Sequence, residues 1–145
     1  MRSPLSTLAL RLNPGSDLKT SLLELATANN LQASCILTAV GSLQAAHLRY
    51  AGQSQGCQWR QRFEIVSLVG TFSTKAAHLH IALADEQGQL LGGHVLEGCV
   101  VYTTAELVVG ELTALTFDRQ IDPQTGYPEL LIQQRTVVQT GNGCV

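Results

Sequence analysis

Three of the four histidines in this chain fall within seventeen residues: His78 and His80 in Ala77-His78-Leu79-His80, and His94 after Gly92-Gly93. Neutral imidazole is a common ligand for transition metals. Two histidines at i and i+2 on a strand share a face, because strand side chains alternate. A third on the returning strand can face them. Three such nitrogens suit zinc or a similar divalent transition metal, and they leave a fourth position for water or a small anion. Metal-bound water ionises near neutral pH and can attack an electrophile, so a metal-dependent hydrolase is one reading. Hydrolysis also wants a general base. Glu97 is the carboxylate nearest His94 in sequence, but simple alternation turns it to the opposite face, where a solvated or structurally paired role is favoured.

The element that must position these rings is a β-hairpin, with strands over 77–84 and 89–96 joined by a turn at Asp85-Glu86-Gln87-Gly88-Gln89. Gly88 can take the left-handed conformation that a three-residue loop requires. If the loop is Glu86 to Gly88, Asp85 pairs with Gln89, and counting back sets His80 opposite His94. Directly opposed Cβ atoms lie about 5 Å apart and diagonal neighbours about 7 Å, within reach of imidazole. A four-residue loop shifts the pairing by one and turns His94 away. Gly92 and Gly93 mark a close backbone approach or a bulge that changes the parity again. Spacing alone leaves the register open.

The 145 residues fit one domain with room for a core, and 45% of them are hydrophobic against 14% charged. That balance predicts spare apolar surface and an oligomer. Formal charge is −2, and no two basic residues are adjacent. A concentrated phosphate-binding surface is therefore not expected from composition. Cys35, Cys57, Cys99 and Cys144 form no C-x-x-C pair and read as reduced thiols of a cytoplasmic protein. No stretch reads as a signal peptide or a membrane span.

Outside the hairpin, apolar alternation predicts a strand over 6–12, and Pro14-Gly15 a turn. Leu18, Leu22, Leu25 and Ala26 recur at helical spacing, predicting one main helix over 17–29 with Ser16 or Asp17 as cap. Residues 34–40 read as a strand broken by Gly41-Ser42, 44–51 as a weaker strand, and 52–56 as a polar loop. Residues 60–72 carry apolar side chains on both parities, predicting a strand covered on both faces over at least part of its length. Residues 99–109 and 112–117 read as further strands, 118–128 as turn-rich, and 132–145 as a mobile tail. The sum is an α+β domain, a mainly antiparallel sheet of seven or eight strands with one helix.

Other candidate groups read as structural. His47 stands alone on a strand, and Cys99 sits in an apolar run as a buried thiol. Tyr50, Trp59 and Phe63 are core or interface aromatics. Thr103-Thr104 and Ser73-Thr74 lack a nucleophile context, and neither G-x-S-x-G nor a phosphate-binding glycine motif occurs.

Taken in order, Gly41-Ser42-Leu43, Arg62-Phe63-Glu64-Ile65-Val66-Ser67-Leu68 with Gly70, His78-Leu79-His80, Gly92-Gly93-His94, Leu96-Glu97-Gly98 and Tyr102-Thr103-Thr104-Ala105-Glu106 resemble the PPC (plant and prokaryote conserved) domain family. The resemblance runs from about Leu8 to Leu131. It implies a homotrimer of antiparallel sheet with a flanking helix. It also implies association or partner binding, for which Arg62, Phe63, Glu64 and Ile65 match the family segment, and a metal site, for which His78, His80 and His94 match. Prokaryotic members are often described as DNA-binding, whereas in plant members DNA contact comes from a separate AT-hook. No Arg-Gly-Arg-Pro core occurs in this sequence. The leading expectation is a trimeric metal-binding domain. The alternatives are a DNA- or protein-interaction module and a hydrolase.

Overall fold

Leu5–Leu12 forms strand β1, with Leu8, Leu10 and Leu12 packed against the core, in a computed structural model that describes residues 1–136. Helix α1 (Leu18–Ala28) follows and buries Leu18, Leu22 and Ala26, one i, i+4 stripe. Its cap is Asp17, whose Oδ1 accepts from the Thr20 amide at 2.9 Å. The other carboxylate oxygen accepts from the Gly98 amide at 2.6 Å, which ties the helix start to a loop eighty-one residues away. Asn29 caps the far end, and Asn30 follows in the left-handed region at φ 52°.

Strand β2 (Ser34–Arg49) runs straight through Gly41-Ser42, where a break was expected. Gly41 has φ +142°, and a Cβ there would collide with the Thr104 carbonyl. The glycine serves close approach of β2 to its neighbour, and the strand absorbs the irregularity as register shifts. The short β3 (Gly56–Trp59) pairs with the end of β2 and was not legible, since it has only four residues at an edge. Then come β4 (Phe63–Phe72), β5 (Ala77–Ala84), β6 (Leu90–Val95) and β7 (Val100–Leu112).

These strands make one seven-stranded sheet in the order β1-β7-β2-β4-β5-β6, with β3 on β2. A further β2–β6 pairing, Leu48 with Val95 and Arg49 with His94, closes β2, β4, β5 and β6 into a ring. Leu43, Leu48, Phe63, Phe72, Leu79, Leu83, Val95 and Val101 fill the core between sheet and helix.

Further expectations need correction. Strand β4 is covered on one face only: a bulge between Ile65 and Ser67 switches the alternation. Phe63, Ile65, Leu68 and Phe72 all turn inward, while Val66 and Val69 stay 53% and 55% exposed. The strand expected over 112–117 instead splits. Leu112 ends β7, and β8 (Leu115–Ile121) pairs with β9 (Pro128–Gln134) in a separate two-stranded sheet. The described residues thus hold nine strands rather than seven or eight. Strand β9 extends past residue 132, where a tail was expected to begin; the last part of that tail, 137–145 with Cys144, lies outside the described residues.

Candidate metal centre

The hairpin turn sets the register. Gly88 lies at φ +76°, and its amide donates to the Asp85 carbonyl at 2.9 Å. The Asp85 amide donates to the Gln89 carbonyl at 3.0 Å, and Asp85 Oδ1 accepts from the Gln87 and Gln89 amides. This is the three-residue loop, and the strands beyond it pair His80 with His94, Ile81 with Gly93 and Ala82 with Gly92, without a shift. A Cβ at Gly92 would stand 2.5 Å from the Ile81 carbonyl oxygen, and one at Gly93 would stand 2.8 Å from that of Arg49. Both glycines thus let flanking backbones close on β6. Gly70 of β4, at φ +144°, does the same beneath the His78 carbonyl.

The three rings converge on the sheet face opposite α1. Ring centroids are 5.1 Å apart for His78–His80 and His78–His94, and 5.5 Å for His80–His94. The Nε2 atoms of His78 and His80 are 3.2 Å apart. Two nitrogens on one tetrahedral zinc, each about 2.0–2.1 Å from it, are separated by about 3.3 Å. One ligand atom from each of the three rings falls within 4.8 Å of the others. Nδ1 of His94 is buried with no hydrogen-bond partner among the described residues.

Burial and neighbouring charges favour the neutral form of His94 and His78. Burial first, then His78, Arg49, His80 and Lys19, push His94 down to about 4. Burial, Arg119, His80 and Arg49 lower His78, against an opposing pull from Glu129. A neutral ring is the metal-binding form, so neither nitrogen set must lose a proton at pH 7. Arg49, Arg119 and Glu129 were not singled out in the sequence. They reach this site through β2 and the β8–β9 hairpin, from 29 to 49 residues away from the nearest of His78 and His80. No local spacing signals them.

The remaining candidates fall elsewhere. His47 donates through Nδ1 to the Glu97 carbonyl at 2.7 Å, a structural bond, and the Glu97 side chain is exposed. Cys99 is fully buried, and burial pushes its thiol up to about 11. Phe63 and Ile65 belong to the core at 2% and 6% exposure, so Arg62 and Glu64 are the members of that segment with surface to offer. Arg62 lies 4.4 Å over the Tyr102 ring. A groove of about 400 Å³ beside β3, between Gln44, Trp59 and Arg60, contains none of the three histidines.

Comparison with known proteins gives the same frame. A family model described as the Plants and Prokaryotes Conserved (PCC) domain matches residues 1–113. The Bifunctional protein GlmU of Synechococcus sp. (strain JA-3-3Ab) is 47% identical over 125 residues, covering 86% of this chain and 20% of that protein. The chain therefore spans about a fifth of the length of the first curated relatives it matches. A solved structure of a hypothetical protein from Salmonella cholerae-suis is 44% identical, with TM-score 0.92 over 94% of this chain and 99% of that one. A metal-containing protein from Archaeoglobus fulgidus is 27% identical, with TM-score 0.77 over 90% of this chain and 96% of that one.

Proposed function

The chain belongs to the Plants and Prokaryotes Conserved domain family, and from that premise we propose that it is a self-associating metal-binding domain whose ion sits between His78, His80 and His94. The observation that carries this reading is the 3.2 Å separation of the His78 and His80 Nε2 atoms, with a His94 nitrogen in reach. The donor set is all nitrogen, which suits zinc or another late divalent transition metal and not magnesium or calcium, which prefer oxygen. The unpaired, buried Nδ1 of His94 supports it too, since a buried nitrogen without a partner costs about 1–3 kcal/mol. The relative from Archaeoglobus fulgidus is called metal-containing, which agrees.

We place the metal in a homotrimer. What supports self-association is the outer face of the sheet: Leu37, Val40, Val66 and Val69 are 47%, 56%, 53% and 55% exposed. Val69 pairs with His80, so this apolar strip adjoins the histidines. Arg62 and Glu64 add a polar edge to the contact. Duplex DNA is a poorer partner for this chain, which has nine basic residues against eleven acidic ones. Hydrolysis has no supporting observation, because Glu97 points its backbone at His47 and leaves its carboxylate in solvent.

The test is elemental analysis of protein purified without chelator, followed by titration of the stripped protein with zinc. One ion per chain is expected. A preparation that carries no metal and takes up none on titration ends the metal reading.

A further inference from the structure

We infer that the site holds a small oxyanion, a carboxylate or a phosphate, between the fourth position of the metal and the guanidinium of Arg49. The inference rests on the metal reading above and deepens it.

Arg49 is paired with His94 across β2 and β6, and His94 is paired with His80 across β6 and β5. Directly paired residues project to the same side of a sheet, so His80, His94 and Arg49 form one row on the outer face. The described residues include two salt bridges, Lys75 with Asp118 and Arg135 with Glu111, and Arg49 is in neither. Its one side-chain hydrogen bond there is long: Nη1 donates to the Gln53 carbonyl at 3.4 Å. Arg49 is half-buried, beside the one histidine of the three that is itself half-buried.

The charges acting on His94 and His78 are mostly cationic: Arg49 and Lys19 act on His94, Arg119 and Arg49 act on His78, and against them Glu129 acts on His78. Three neutral imidazoles cancel none of a divalent ion's charge. A metal centre with no carboxylate ligand and cationic neighbours is short of negative charge. An oxyanion supplies it, one oxygen on the metal and another on the guanidinium fork, whose planar donors match carboxylate and phosphate. No covalent bond of the anion is made or broken; its oxygen would take the place of water at the fourth position of the metal.

The experiment uses full-length protein loaded with Co²⁺, whose visible band reports its coordination. Acetate is titrated in one arm and inorganic phosphate in another, with acetamide as the neutral control. We expect a saturable spectral change with at least one anion and none with acetamide; the tighter arm identifies the class. Arg49→Gln should weaken that anion about 10-fold or more with Co²⁺ stoichiometry unchanged, and Arg49→Lys should fall between. If Co²⁺ binds and neither anion moves the band, the inference is overturned and the metal reading stands. Equal anion affinity in wild type and both Arg49 variants also overturns it. Failure to bind Co²⁺ at all overturns both.

Discussion

His80 and His94 stand directly opposite each other on adjacent antiparallel strands, with ring planes at 89°. The perpendicular arrangement keeps the rings from stacking and leaves their nitrogens free to aim at a common point, to which His78 adds a third ring from two residues along β5.

Removing one of the three rings should cripple the site. The His80 ring lies 5.1 Å from that of His78 and 5.5 Å from that of His94 between centroids. We expect His80→Ala to lower zinc affinity by roughly 100-fold or more, since a two-nitrogen remnant cannot hold a tetrahedral ion well. Competition against a chromophoric chelator measures this; wild-type affinity in the variant would falsify the assignment.

The backbone beneath the histidines should be intolerant of a methyl group. Gly70 lies at φ +144°, and a Cβ there meets the His78 carbonyl. Gly70→Ala should cost about 1–3 kcal/mol of stability through backbone strain alone, and should weaken metal binding by moving β5. Chemical denaturation and zinc titration of the same variant check the two effects together. A variant as stable as the parent would show that β5 has room to retreat.

The apolar strip should govern assembly. Between the pairs Cys35–Thr71 and Ser42–Glu64, β2 and β4 contribute equal numbers of residues. Leu37 is therefore level with Val69, and Val40 with Val66. Light scattering should give three times the chain mass for wild type, and a lower mass for Val40→Asp combined with Val66→Asp. Both substitutions fall on exposed side chains, so the fold itself should survive. A wild-type monomer over a wide concentration range would remove the trimer.

The metal-free protein should lose stability in mild acid. His94 titrates at about 4 when folded, against an ordinary 6.5. Between those values the unfolded chain binds a proton that the folded chain refuses. Stability is therefore full above about pH 6.5, declines as pH falls toward 4, and levels off below. The lowered His78 acts with the same sign. Urea midpoints at pH 7.5 and 4.5 should separate more for wild type than for His94→Gln, and equal separations would count against this account.

Much of this protein was legible in its residues. The Leu18, Leu22, Ala26 spacing specifies α1, and of the two caps the residues offer, Ser16 and Asp17, the structure uses Asp17. Glycine at position 88 permits a three-residue turn, whose parity puts His78, His80 and His94 on one face; a four-residue loop or a bulge stayed open until the strands were paired. Period and backbone conformation are local matters, which a sequence states directly, whereas register is shared between strands. Bulges are different. The extra residue at Val66 and the shifts along β2 depend on what the neighbouring strands demand, and periodicity across residues 60–72 read them as a strand covered on both sides. The β8–β9 pairing was hidden for a similar reason, since neither strand alternates strongly by itself and each is defined by the other. Above all, only the closure of β2 onto β6 brings Arg49 beside His94, forty-five positions apart in the chain. The sequence alone determined which atoms could bind a metal; the tertiary structure decided what charges surround them, because electrostatic fields follow distance through space and not along the chain.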